Sequence, residues 1–377
     1  FPGAEPLEAL TATAGSLTPI DLEPDAAAII AFTSGSTGEP KAVVMPHRVL
    51  DAQVDALAQE ARVDRHTVHL PFLSLGVVLG PALGCCTALS SADLSNIARA
   101  NPRVLAAEVE ALSVTHTMGS PALFKKLVGE CSQRDSRLKS LEHVLVGGAP
   151  ASAELLRGVQ RIIGASAEFR TIYGATEAVP LTGAPVADVL ADVPHRLGAL
   201  VGRPVKQVEL RIDGDEVGEV LVRGDIVASA YYVEGRERRL GHEEGWHRTG
   251  DMGELDEDGR LWLAGRKAHV VSTTVGSFYP HRLEPFLGMV EGVRRVALVG
   301  VGEPGQQRVV LVAEASTTLW PWSGRAPEIV AALQVEAARH GVSSCDVLFR
   351  KLLPVDVRHR AKVLRVDLAA WAARRLR

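Results

Sequence analysis

The segment VLVGGAPASAELLRGVQRIIGASAEFRTIYGATE, residues 144–177, decides the fold. Val144-Leu-Val146 is a continuous apolar run that stops at Gly147-Gly148, as a strand buried on both faces does. Leu155, Leu156, Val159, Ile162 and Ile163 follow at helical spacing, which predicts a helix ending at Gly164. Phe169-Arg-Thr-Ile-Tyr173 is a second strand. Strand, helix and strand in this order predict an α/β sheet with helices packed on it.

The same alternation extends upstream. Asn101 caps a helix that carries Pro102 in its first turn and runs through Leu112. Asp25 to Phe32 is a short apolar strand that leads into Thr33-Ser-Gly-Ser-Thr-Gly-Glu-Pro-Lys41. Leu70 to Leu83 is apolar and most simply core, with the lining of an acyl tunnel as the alternative. Downstream of Gly202 the texture changes. Val208 to Ile212, Glu219 to Arg223 and Leu261 to Leu263 are strands joined by tight turns, Asp258-Gly259 among them. Beyond Arg266 a smaller α+β portion holds strands Arg295 to Val301 and Arg308 to Glu314. A helix from Pro327 to His340 follows, closed by Gly341. Thr317 to Arg325 reads as a surface loop. No internal repeat and no low-complexity tract is visible.

The chain has 377 residues, enough for a large core and two domains. With 46% hydrophobic and 23% charged residues it has the balance of a soluble globular protein. Lys plus Arg is 41 against 45 for Asp plus Glu, a formal charge of −4, so nothing electrostatic favours nucleic acid or an anionic membrane. Cys85, Cys86, Cys131 and Cys345 form no C-x-x-C pair, which argues against structural zinc and for reduced thiols in a cytoplasmic protein. No apolar run is long enough for a transmembrane helix, and no basic-then-apolar signal opens the chain.

The segment from Thr33 to Lys41 carries the strongest chemical signal. Glycines let several backbone N–H groups point at one anion, hydroxyls add donors, and Lys41 adds charge. Such a loop suits the β- and γ-phosphates of a nucleotide, although it is not a Walker sequence. Alone it also reads as a flexible polar turn. Thr171-Ile-Tyr-Gly-Ala-Thr-Glu177 sets an aromatic, a hydroxyl and a carboxylate at a strand's carboxyl end, where ligands of open α/β sheets sit. Tyr173 can stack on a base, Thr176 bond a phosphate and Glu177 hold Mg²⁺. A buried Tyr and an N-capping Thr are the plain alternatives. Trp246-His-Arg-Thr-Gly-Asp251 offers a carboxylate suited to a ribose diol, and Asp251 taken singly is a turn residue.

Taken in order, the Ser/Thr/Gly loop with Pro-Lys, Tyr-Gly-x-Thr-Glu, Arg-Thr-Gly-Asp and Gly-Arg-Lys resemble the acyl-adenylate-forming superfamily. That superfamily includes acyl-CoA synthetases, nonribosomal-peptide adenylation domains and luciferases. The resemblance covers the chain from Asp25 to its end. It implies a large N-terminal domain, residues 1–265, of stacked mixed sheets with helices and a β-barrel-like part. A small mobile α+β lid domain follows over residues 267–377. It implies activation of a carboxylic acid by ATP and Mg²⁺ as acyl-AMP. Thr33, Ser34, Gly35, Ser36, Thr37, Gly38 and Lys41 are then the phosphate loop. Gly147, Gly148, Ala149 and Pro150 line the adenine and acyl pocket, and Tyr173, followed by Gly174, packs on adenine. Thr176 meets the α-phosphate, Glu177 the Mg²⁺, and Asp251 the ribose with Arg266 beside it. Lys362 matches the lysine that swings into the site for adenylation.

Leu353-Pro-Val-Asp-Val-Arg-His-Arg-Ala-Lys-Val363 resembles more narrowly the C-terminal segment of bacterial olefin-pathway β-lactone synthetases. Thr171 to Pro180 and Leu79-Gly-Pro-Ala-Leu-Gly84 point the same way. These imply a 3-hydroxy acid substrate that closes to a β-lactone. An acyl-CoA or acyl-carrier-protein ligase is the alternative, with a thiol as nucleophile. A catalytically silent nucleotide-binding homologue is another, and Glu177, Asp251 and Lys362 together count against it. Departures from the superfamily pattern are Ala268 at the hinge position and Ala361 before Lys362. Thr33 is preceded by only 32 residues, so the chain is expected to lack its first part. Val299-Gly-Val-Gly-Glu-Pro-Gly305 contains a dinucleotide-type G-x-G-x-x-G, but Pro304 and the strand after it make it a loop between strands.

Overall fold

The structure is a computed structural model that describes residues 20–34, 40–94, 97, 99–191, 198–233, 236–240, 243–315, 326–355 and 363–376. The predicted α/β unit forms as the pattern dictates. In chain order the strands are β1 (Ala27–Ser34), β2 (Pro40–Pro46), β3 (Val68–His69), β4 (Cys86–Thr87), β5 (His116–Gly119), β6 (His143–Gly147) and β7 (Glu168–Ala175). β8 (Ala178–Pro185), β9 (Ala199–Pro204), β10 (Glu209–Asp213) and β11 (Gly218–Arg223) continue the series. β12 (Ala230–Val233), β13 (Arg236–Arg239), β14 (His247–Leu255) and β15 (Leu261–Arg266) follow.

One eleven-stranded sheet runs in the order β10-β11-β14-β15-β9-β8-β7-β6-β5-β3-β4. From β7 to β4 the pairs are parallel, and from β7 to β10 they are antiparallel. The barrel-like strands beyond Gly202 are the antiparallel half of this sheet. A second, four-stranded antiparallel sheet, β1-β2-β12-β13, packs beside it.

Local chemistry sets the helix ends. Asn101 accepts from the Arg103 N–H and starts the helix Pro102–Ala111, as expected. Ser152 accepts from the Leu155 N–H at 3.2 Å and starts the helix Ala153–Ile162. That helix stops before the predicted Gly164. Ile163 is extended (φ −96, ψ 172) because it bridges Leu138, whose N–H bonds the Ile162 carbonyl.

The main core lies between the parallel strands and three helices, Pro102–Ala111, Pro121–Arg134 and Ala153–Ile162. Phe124, only 1% exposed, meets Phe72 edge to face with centroids 6.1 Å apart. Phe124→Ala is expected to destabilise the protein by about 3–5 kcal/mol, measured by denaturant unfolding. A cost well below 1 kcal/mol would show that this site collapses without a cavity.

Beyond β15 come β16 (Val271–Thr273), β17 (Gly276–Phe278), the helix Pro280–Leu287, β18 (Val293–Val301), β19 (Arg308–Ala315) and β20 (Asp346–Phe349). β18, β19 and β20 form a three-stranded sheet. The helix Ala326–Arg339 covers one face, with Gly341 at φ +86 just past its end. The helix Arg365–Arg375 covers the other. Among the described residues, no hydrophobic cluster joins side chains before Ala264 to those after Val271. The G-x-G-x-x-G string starts in the last two residues of β18 and continues as the loop to β19, with Gly302 and Gly305 at positive φ. The expected loop 317–325 lies outside the described residues. No helix among the described residues is long and apolar enough to cross a membrane.

Candidate active site

The sheet changes from parallel to antiparallel pairing at β7–β8, and the site residues gather there. Ala175 pairs with Ala178, so Thr176 and Glu177 form the two-residue tip of this hairpin. The register shifts between Tyr173 and Ala175. Gly174 sits in that bulge, and a Cβ there would lie 2.8 Å from the Ala178 carbonyl oxygen. Next to the hairpin, β6 ends at Gly147 opposite Ile172. A Cβ on Gly147 would come within 2.7 Å of the Ile172 side chain, and Gly148 takes φ +81. Ala149 and Pro150 therefore leave the sheet at the same carboxyl edge as Tyr173.

Two polar clusters flank the hairpin. In the first, the Tyr173 hydroxyl donates to Asp251 Oδ2 at 2.7 Å, and Arg266 Nε meets Asp251 Oδ1 at 3.0 Å. Asp251 and Arg266 are register partners on β14 and β15. Arg266 also donates to the Thr249 carbonyl, and the Thr249 hydroxyl accepts from the Asp251 N–H. Burial and then the Asp251 carboxylate hold the Tyr173 phenol well above its ordinary pKa, so it remains a donor.

The second cluster starts from Glu177, whose Oε1 accepts from the Tyr231 hydroxyl at 2.7 Å. Burial and the Glu177 charge raise the Tyr231 phenol. Lys41 Nζ stands 5.2 Å from the centroid of the Tyr231 ring, in cation–π range. The Arg266 charge acts on both phenols and links the two clusters.

These contacts bring together residues as far apart in sequence as Lys41 and Arg266. Thr33 and Lys41 are register partners, so the two ends of the phosphate loop are fixed side by side on β1 and β2. Lys41 reaches the hairpin tip through Tyr231, and Tyr173 reaches Asp251 and Arg266 directly. Thr33 and Ser34 are placed by their backbone in β1. Gly35, Ser36, Thr37 and Gly38 lie outside the described residues, as does Lys362. Sequence reasoning missed Tyr231 and Thr249. Thr249 stands inside the Arg-Thr-Gly-Asp motif and could have been found there. Tyr231 carries no local signal, since its position depends on pairing with Val43.

Below this site the chain passes from β15 into the short turn Lys267–His269, which contains Ala268. Lys267 Nζ bonds Glu219 Oε2 at 2.9 Å, and Arg248 bonds the same oxygen at 2.6 Å. Burial pushes the Glu219 carboxyl up, but the bonds from Lys267 and Arg248 outweigh it and hold it below its ordinary value. Arg282, on the helix after the turn, bonds Glu254 of β14 at 2.8 Å.

A cradle at the carboxyl edge of parallel strands, with a carboxylate on one side and a lysine on the other, fits a nucleotide. Residues 3–232 match the family described as AMP-binding enzyme. The chain belongs to that family, and it is an adenylate-forming ligase that uses ATP and acts on carboxylic acids. It is 34% identical to the olefin beta-lactone synthetase of Xanthomonas campestris pv. campestris, over 94% of this chain and 68% of that one. It is 28% identical to the indoleacetate–CoA ligase of Aromatoleum aromaticum, over 98% of this chain and 72% of that one. Among solved structures it is similar to the amide bond synthetase McbA from Marinactinospora thermotolerans, with a TM-score of 0.74 and 26% identity, over 94% and 71%.

Proposed function

We propose that this enzyme activates a 3-hydroxy acid as its acyl-AMP and then closes it to a β-lactone. The observation that carries the reading is the meeting of Tyr173, Asp251 and Arg266 beside the Thr176–Glu177 hairpin tip. The 34% identity to an olefin beta-lactone synthetase supports the substrate's own hydroxyl as acyl acceptor. In this reading Asp251 accepts hydrogen bonds from the ribose hydroxyls, with Arg266 holding it in place. Tyr173, Gly174 and the Gly148-Ala149-Pro150 turn flank adenine. Thr33 to Gly38 and Lys41 take the outer phosphates, and Thr176 takes the α-phosphate.

Glu177 is the residue suited to Mg²⁺. It offers a hard carboxylate at the hairpin tip, with one oxygen engaged by Tyr231. No cluster of three His, Cys, Asp or Glu able to hold a metal occurs among the described residues. A single carboxylate fits an ion that arrives with nucleotide phosphates, as magnesium commonly does. Bound there, the ion supplies charge neutralisation on phosphate oxygens.

In the first half-reaction a substrate carboxylate oxygen attacks the α-phosphorus and pyrophosphate leaves. The protein's contribution is positioning and charge. Lys362 supplies the ammonium beside the reacting phosphorus. Residues 267–377 form the lid that carries it, and residues 1–265 form the nucleotide-binding domain. Rotation at Ala268 would release the Arg282–Glu254 ion pair, which joins the two sides of the hinge. In the second half the substrate's own 3-hydroxyl oxygen attacks the acyl carbonyl, AMP leaves and the hydroxyl proton is released. We place the enzyme in the cytoplasm.

Product analysis tests the reading. Incubation of a 3-hydroxy acid with ATP and Mg²⁺ is expected to give AMP, pyrophosphate and a product equal to the acid minus water, without CoA. Acyl-CoA formed only when CoA is added would overturn lactone closure in favour of a thiol ligase.

A further inference from the structure

Tyr231 stands where the four-stranded sheet meets the hairpin tip. β12 pairs with β2, which sets Tyr231 beside Val43 and Tyr232 beside Ala42, the neighbour of Lys41. Just ahead of β12, the Ala228 N–H donates to the Glu177 carbonyl at 2.7 Å and the Ser229 N–H to the Val44 carbonyl at 3.3 Å. The backbone thus ties the start of β12 to the hairpin tip on one side and to β2 on the other. The Tyr231 side chain is anchored as well, since it packs against Val43, Met45 and Ala228, all buried.

That anchoring aims both chemical handles of the side chain at charge. The hydroxyl donates to Glu177 Oε1 at 2.7 Å, and the ring face meets Lys41 Nζ, 5.2 Å from its centroid. A phenol at that distance makes a strong hydrogen bond to a carboxylate and fixes which Glu177 oxygen stays turned to the ring. A ring face within about 6 Å attracts an ammonium and limits where the flexible lysine stem carries it. Glu and Lys are among the side chains that lose most rotamer freedom when ordered, so a partner that orders them beforehand strengthens whatever binds next. Packing alone asks for a ring, whereas the hydroxyl serves Glu177.

We propose that Tyr231 is a positioning residue for Mg²⁺-ATP, holding Glu177 through its hydroxyl and Lys41 through its ring face, so that the metal side and the phosphate side of the site are ordered together before nucleotide arrives. The inference rests on the assignment above of Glu177 to Mg²⁺ and Lys41 to the outer phosphates. Tyr231 acts through these two residues and not on the nucleotide itself. Its two handles separate chemically. Loss of the hydroxyl frees the Glu177 carboxylate and is felt when the metal is present. Loss of the ring also frees the Lys41 ammonium and is felt with or without the metal.

Equilibrium dialysis with ATP, run in Mg²⁺ and again in EDTA, tests this on Tyr231→Phe, Tyr231→Leu and Glu177→Gln. Tyr231→Phe keeps the packing and the ring face. It is expected to weaken ATP binding about tenfold in Mg²⁺ while binding in EDTA stays at the wild-type value. Tyr231→Leu should weaken binding in EDTA as well, by about twofold to fivefold, because Lys41 loses its ring. Tyr231→Phe binding ATP like wild type in both solutions, or losing affinity equally in both, would overturn the proposal and leave Tyr231 as a spacer between the sheets. A Tyr231→Leu loss confined to Mg²⁺ would remove the ring's part in it. Normal Mg²⁺-ATP binding by Glu177→Gln would overturn the metal assignment itself, whereas a loss there beside an unaffected Tyr231→Phe would remove Tyr231 alone.

Discussion

Lys362→Ala is expected to lower acid-dependent ATP–pyrophosphate exchange by about 10²–10³-fold while ATP still binds. The size follows from the kind of catalysis involved. Attack of a carboxylate on the α-phosphorus places negative charge on oxygens that water would otherwise solvate. One preorganised donor at such a centre is worth about 2.7–4 kcal/mol of barrier. ATP affinity is expected to change little, because Tyr231 joins Lys41 to Glu177 and Asp251 is held by Tyr173 and Arg266. Pyrophosphate exchange and equilibrium binding of ATP separate the two effects. Exchange at the wild-type rate in the variant would remove Lys362 from the reaction.

Asp251→Asn produces the second large effect, and it falls on ATP recognition. Asp251 is 8% exposed, and its carboxylate meets the Tyr173 phenol and the Arg266 guanidinium. Asparagine keeps an acceptor for Tyr173 and removes the charge that Arg266 faces. A hydrogen bond to a charged group contributes about 1.5–3 kcal/mol. The KM for ATP is therefore expected to rise by about tenfold to a hundredfold. The rate at saturating ATP should fall less, because the proposed role of Asp251 is toward ribose and not the reacting phosphorus. A KM for ATP equal to that of wild type would refute the ribose assignment.

The sequence was most legible where local rules decide the outcome. Val144-Leu-Val146, the helix after Ser152 and Phe169 to Tyr173 follow from periodicity and capping, and they set the parallel half of the sheet. Tyr173 and Glu177 were legible because a strand end followed by a hairpin tip is a place where polar side chains converge. The connection between sheets was not legible. Tyr231 meets Glu177 and Lys41 because β12 pairs with β2, and no neighbour of Tyr231 in sequence announces that pairing. The end of the helix at Ile162 was missed for a related reason, since the distant bridge from Leu138 overrides the glycine signal at 164. His69, His116 and His143 also escaped notice as neighbours, because they come from three separate strands and join only through register.

The excursion of β12 and β13 also bears on how the chain is made. β11 and β14 are neighbours in the large sheet, yet the strands between them in sequence leave it to complete the N-terminal hairpin. Val43 therefore waits for Tyr231, about 190 residues later in synthesis. At about 5–20 residues per second, the outer edge of β2 stays unpaired on the ribosome for on the order of 10–40 s. That edge carries Val43 and Val44, both fully covered in the finished protein. A nascent chain stalled before Ala230 is thus expected to engage a chaperone there, and release should come once β12 has emerged.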